Sequence, residues 1–267
     1  MGFAMTKVLA FTNNKGGTGK STLCANSAHV TALTGAKVLV VDLTSQITCS
    51  SLFIGGAESL PEADTVLAFL KKPPERHIED LIYESQKGLD IVAASVSMAK
   101  AVSQLASIQM GKESVLKYEL ERIEHQYDYI FIDSPGELNE LTVNALVPST
   151  KIFIPTRLNR TDFECTESMI RFIREAENYI GAREVRVVLN MLDDRYLPGN
   201  IWASSHTGML YRQAQQTFAD VLSPVTIPDS ADIRTAFDRG LTVVEYKPGE
   251  EAARRVQELV NREVTSD

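Results

Sequence analysis

Short apolar runs alternate with stretches of helical spacing along almost the whole chain. The runs are too short for helices, and several, such as Val38 to Val41, are apolar at every position. That pattern suits strands covered on both faces. It predicts strands at Lys7 to Thr12, Lys37 to Val41, Leu89 to Val92, Tyr129 to Ile132, Lys151 to Ile154, Glu184 to Leu189 and Pro224 to Ile227. Helical spacing predicts helices over Lys20 to Leu33, Lys112 to His125, Glu137 to Leu146, Thr161 to Ile180, Gly208 to Val221 and Glu250 to Glu263. Strand and helix in alternation imply an α/β fold, a mostly parallel central sheet with helices on both faces. With 267 residues, 44% of them hydrophobic, the chain suits one domain, residues 1–267, with a large core. Gly55 to Ile82 is the most irregular part and reads as a short helix among surface loops. Tyr196 to Ser205 reads as a second loop, with Trp202 expected to pack in the core.

Chemistry enters just after the first predicted strand, where Lys15 to Thr22 read KGGTGKST. The strict phosphate-loop pattern G-x-x-x-x-G-K-[ST] would need glycine at Asn14, so the form present is the variant with an additional lysine, Lys15. Gly16, Gly17 and Gly19 let the backbone N–H groups of the loop, Thr18 among them, approach phosphate oxygens. The helix starting near Lys20 adds its positive N-terminal end. In this arrangement Lys20 reaches the β- and γ-phosphates and Ser21, followed by Thr22, holds Mg²⁺. This identifies a P-loop nucleotide-binding protein.

Two acids follow apolar strands, Asp42 in VLVVDLTSQ and Asp133 in YDYIFIDSPGE. Ligands of open parallel sheets bind beyond the carboxyl ends of strands, so both are placed beside the phosphate loop. Asp133 has the layout of a Walker B carboxylate in the Mg²⁺ shell. An acid after a strand is also a common helix cap. The three cysteines, Cys24, Cys49 and Cys165, are scattered, which argues against disulfides and a zinc site. Net charge is −8, which does not advertise nucleic-acid binding. Arginine is uneven, however: only Arg76 and Arg122 precede Arg157. The start, MGFAMTK, lacks a signal layout, with Met5 an alternative start, and no apolar stretch nears the ~20 residues of a membrane span. A cytoplasmic protein is expected.

Together, KGGTGKST, VLVVDLTSQ, YDYIFIDSPGELNELTVNAL and IPDSADIRTAFDRGLTVVEYKPGEEAARRVQELV resemble the ParA/MinD family of deviant Walker ATPases, in its shorter ParA branch without an N-terminal helix-turn-helix domain. The resemblance implies ATP and Mg²⁺ held in a sandwich homodimer, with Lys15 reaching phosphates of the other subunit and Lys20 and Asp42 beside it in the catalytic centre. It implies slow turnover that switches the protein between DNA-bound and free states near the nucleoid, stimulated by a ParB-like or cargo-adaptor partner. By the same carry-over, Asn190 and the loop at Pro228 line the adenine site. Two departures stand out. Family members usually carry a second Asp, which orients the attacking water, where this chain has Thr44, so weak hydrolysis is expected. Two arginines that often contribute to non-specific DNA binding are replaced by Asp229 and Asp232, leaving Arg195, Arg234 and Arg239 as the candidate DNA contacts. A MinD-like membrane ATPase would need an amphipathic tail; the last helix has no aromatic residue, and packing on the body is expected instead. A non-hydrolysing scaffold is the further alternative. An electron-transfer ATPase is excluded, because no cysteine lies between Cys49 and Cys165.

Overall fold

The computed structural model describes residues 5–193, 195 and 205–266. Seven strands form one sheet: β1 (Lys7–Phe11), β2 (Val38–Asp42), β3 (Ile82–Glu84), β4 (Asp90–Val92), β5 (Tyr129–Asp133), β6 (Lys151–Thr156) and β7 (Glu184–Leu189). Their order is β3-β4-β2-β5-β1-β6-β7, parallel throughout except for β3, which runs antiparallel to β4 at the edge.

Ten helices accompany them among the described residues: α1 (Lys20–Ala32), α2 (Thr48–Phe53), α3 (Ala99–Ala106), α4 (Val115–Leu120), α5 (Glu140–Leu146), α6 (Arg160–Ile180), α7 (His206–Thr217), α8 (Ala231–Asp238), α9 (Val243–Tyr246) and α10 (Glu251–Leu259). Alternate strand residues serve opposite layers, as the two-residue period demands. Val8 and Ala10 pack with Leu105, Leu116 and Leu141 of α3, α4 and α5. Leu9 and Phe11 pack with Leu23 of α1 and Val256 of α10, and Phe11 stacks on Phe153 with ring centroids 4.9 Å apart. The tail therefore lies on the body: Val256, Leu259 and Val260 are buried, and the last turn widens into a π-turn over Val260–Val264.

Several expectations change in detail. Pro224 to Ile227 is not a strand. It runs beside β7 through single bonds such as Ile227 N–H to Leu189 C=O, but Pro224 has no N–H and the Ser223 hydroxyl takes the Val225 N–H, so no ladder forms. Gly55 to Ile82 is irregular, a series of short 3₁₀ turns, yet Val66 to Leu70 within it are fully buried rather than surface loop. The helix expected from Lys112 shortens to α4 between single turns. α5 starts three residues after Glu137 because the Asn139 side chain accepts the N–H groups of Leu141 and Thr142. Trp202 and residues 196–204 of the second expected loop lie outside the described residues.

Candidate functional site: a phosphate cradle and an adjoining cavity

The loop between β1 and α1 takes its shape from two glycines in the left-handed region, Gly17 (φ 75°) and Gly19 (φ 89°). Gly19 is also the N-cap of α1, with no side chain bonded to the first N–H groups and no acid in the first turn. Those donors and the helix dipole remain open to an anion. A second constraint acts at Gly19: a Cβ there would lie 2.1 Å from Asn190 Nδ2. Asn190 follows β7, is 5% exposed, and donates from Nδ2 to the Thr18 carbonyl at 2.8 Å. Gly136, after β5, closes over the same loop, its missing Cβ 3.3 Å from the Gly16 backbone.

Lys20 is 6% exposed and its amine donates to the Lys15 carbonyl at 2.8 Å. Burial lowers its pKa, opposed by Asp133 nearby. The pairing of β2 with β5 sets Asp42 opposite Asp133, both fully buried. Their environments differ. Asp42 Oδ1 accepts the Thr44 N–H and hydroxyl at 2.9 and 2.8 Å, and Oδ2 accepts the Ser50 N–H and hydroxyl at 2.9 and 2.8 Å. Four donors saturate a carboxylate, so Asp42 fixes the β2–α2 turn and has no lone pair left for water or metal. Its expected catalytic role does not fit this geometry.

Asp133 is the opposite case. Oδ1 is buried without a hydrogen-bond partner, while Oδ2 accepts from the Cys49 thiol at 3.5 Å. Burial and the neighbouring Asp42 push its pKa up to about 8, against the pull of Ser21, Lys20 and Cys49. An orphaned buried carboxylate oxygen beside a Ser21 hydroxyl is a donor set for a hard cation such as Mg²⁺. Cys49 was not foreseen. Its thiol and the carboxylates of Asp42 and Asp133 lie within 4.8 Å of one another, but nothing in the scattered spacing of the cysteines announces it.

Two cavities adjoin at this end of the sheet. The larger, about 660 Å³, is lined by Gly16, Gly17, Gly19, Lys20, Ser21 and Thr22 on one side and by Thr44 and Gly136 on the other. The smaller, about 340 Å³, is lined by Asn190, Pro228, Asp229, Arg234 and Phe237. Thr22 and Met191 border both. Lys15 is half-buried at the mouth of the loop and does not line the larger cavity.

The three candidate DNA arginines form no common patch of unopposed charge. Arg195 pairs with Asp193, Arg234 with Asp229, and Arg239 lies 4.9 Å over the Tyr246 ring.

Residues 6–184 match the AAA domain family AAA_31. The chain belongs to that family. Within it, the match is to ParA-type P-loop ATPases. The chain is 28% identical over 248 residues to the sporulation initiation inhibitor protein Soj of Bacillus subtilis, covering 91% of this chain and 92% of Soj. It is 28% identical over 253 residues to the chromosome partitioning protein ParA of Caulobacter vibrioides, covering 90% and 87%. In fold it is similar to cobyrinic acid a,c-diamide synthase from Mycobacterium smegmatis, a structure with bound ATP analog and magnesium, at TM-score 0.78, 20% identity and coverage of 96% and 93%. Among the described residues of this AAA_31 member, no helix is long and apolar enough to cross a membrane.

Proposed function

We propose that this chain is a ParA-like, ATP-dependent dimerising switch that partitions DNA or positions a large cytoplasmic cargo. The observation that carries the reading is the joined pair of cavities, one walled by a phosphate loop and the other by Asn190 and Pro228. Their shapes divide a nucleoside triphosphate into its two chemical halves, phosphates over Gly16 to Thr22 and adenine against Asn190. The names of its relatives, a chromosome partitioning protein among them, favour the partition role.

The residues divide the work. The N–H groups of the loop and of the first turn of α1 hold the phosphates, and Lys20 exchanges the Lys15 carbonyl for phosphate oxygens. Ser21 and Asp133 would hold Mg²⁺, which when bound would supply charge neutralisation for the triphosphate. Lys15 serves the phosphates of a second copy. Thr44 borders the larger cavity with its hydroxyl proton committed to Asp42. Its oxygen can accept a bond from water but cannot take up a proton, and Asp42 is saturated. Loss of a general base costs roughly 10²–10⁴ in rate, about 3–5 kcal/mol of barrier. Hydrolysis is therefore slow, and a ParB-like or adaptor partner raises it.

DNA binding is weak and strongly salt-dependent, because Arg195 and Arg234 each face a carboxylate. The working location is the cytoplasm, at the nucleoid. The test is light scattering and DNA retention with ADP, ATP and a non-hydrolysable analogue at saturating magnesium, alongside turnover. Dimers with ATP and not with ADP support the switch; monomers under every condition overturn it.

A further inference from the structure

The Arg234–Asp229 ion pair stands in the wall of the smaller cavity rather than on a separate surface. Both members are fixed from outside the pair. Asp229 follows Pro228, and its N–H donates to the Leu192 carbonyl at 3.2 Å, tying this loop to the end of β7. Arg234 projects from α8, whose first turn is capped by the Ser230 hydroxyl accepting the Asp232 N–H at 3.1 Å. Phe237, one turn along α8, lines the same cavity and packs against the core, giving an apolar wall for a planar ring.

We infer that Asp229 and Arg234 act together as the base-reading element of this site and select adenine over guanine. This inference rests on the ATP reading above. The pair sets a hydrogen-bond acceptor beside a donor. Adenine presents the complement, an exocyclic N6 amino donor beside a ring-nitrogen acceptor. Guanine in the same placement presents O6, an acceptor, where N6 would be, and O6 opposite the Asp229 carboxylate leaves two acceptors facing each other. Both side chains are more than half exposed (Asp229 52%, Arg234 63%), so water relieves part of this mismatch and the discrimination is the size of a single hydrogen-bonded contact. Arg234 thereby serves the nucleotide, not DNA.

The experiment is competition binding of ATP, GTP and tripolyphosphate to the full chain with Mg²⁺, for the unaltered protein, Asp229→Ala, Arg234→Ala and the swapped pair Asp229→Arg with Arg234→Asp. The single variants are expected to lose about tenfold of the ATP:GTP preference, one hydrogen-bonded contact's worth. The swapped pair keeps the ion pair but reverses donor and acceptor, so its preference moves further towards GTP. Tripolyphosphate affinity, which reads the phosphate loop alone, stays unchanged in all four. An ATP:GTP ratio in the swapped variant within twofold of the unaltered protein, with tripolyphosphate still bound, overturns the inference. An unaltered protein that binds tripolyphosphate but neither nucleotide ends the ATP reading itself, and the inference with it.

Discussion

Gly19→Ala tests the architecture of the site most directly, because two separable costs meet at one residue. The backbone at φ 89° is left-handed, which costs an L-residue about 1–2 kcal/mol. The new methyl would also lie 2.1 Å from Asn190 Nδ2, so the amide must leave its bond to the Thr18 carbonyl. Losing a buried hydrogen bond with a partner left unpaired adds about 1–3 kcal/mol. The sum is about 2–5 kcal/mol. Gly35→Ala supplies the control, since Gly35 has φ 88° but nothing within 4 Å of its would-be Cβ. That variant carries the backbone cost alone. Urea unfolding of Gly19→Ala, Gly35→Ala, Asn190→Ala and the Gly19→Ala/Asn190→Ala double variant closes the cycle. With Asn190 truncated, the cost of Gly19→Ala should fall to that of Gly35→Ala, while nucleotide binding stays impaired because Gly19 lines the larger cavity and Asn190 the smaller. Equal costs for Gly19→Ala and Gly35→Ala in the intact protein would refute the contact argument.

Thr44→Asp places a carboxylate at the rim of the larger cavity and should raise single-turnover ATP hydrolysis at least tenfold, whereas Thr44→Ala leaves the slow rate nearly unchanged; loss of all turnover in Thr44→Ala would show Thr44 itself to be the working group. Glu263, 6% exposed, accepts from Lys151 at 3.0 Å, Arg186 at 2.9 Å and Ser223 at 3.1 Å, and both cations also pair with the more exposed Glu184, so Glu263→Gln should destabilise the fold by about 1–3 kcal/mol in chemical denaturation, leaving two cations to share one carboxylate. His29 is buried against the Thr242 hydroxyl at 2.7 Å, and burial lowers its pKa below the ordinary 6.5, with Glu245 opposing and Lys87 reinforcing the shift. The unfolded chain then holds more protons at acid pH, so this contribution to stability is intact above about pH 6.5 and declines as pH falls below it. Urea midpoints between pH 5 and 8 should show that decline, and His29→Gln should flatten it.

The sequence alone determined the parts whose physics is local. Six of the seven strands announced themselves through short, largely apolar runs, broken by a charge in β4 and β7, and the phosphate loop before α1 through its glycines together with Lys20 and Ser21. The acids at the ends of β2 and β5 were equally legible, because strand ends in a parallel sheet have a known chemical polarity. What failed were elements too short to carry a period, such as β3, α2, α8 and α9, and the Pro224 segment, where apolar content hid the missing N–H groups.

Tertiary structure decided everything that depends on strand order. It set Asp42 opposite Asp133 and then made them unlike, one saturated by four donors and the other holding an orphaned oxygen. It brought Asn190 onto a loop 172 residues away and moved Arg234 from a presumed DNA surface into a cavity wall. Periodicity and motif report what a few neighbours along the chain prefer. Which carboxylate is spent and which is left free is fixed by groups that only packing brings together.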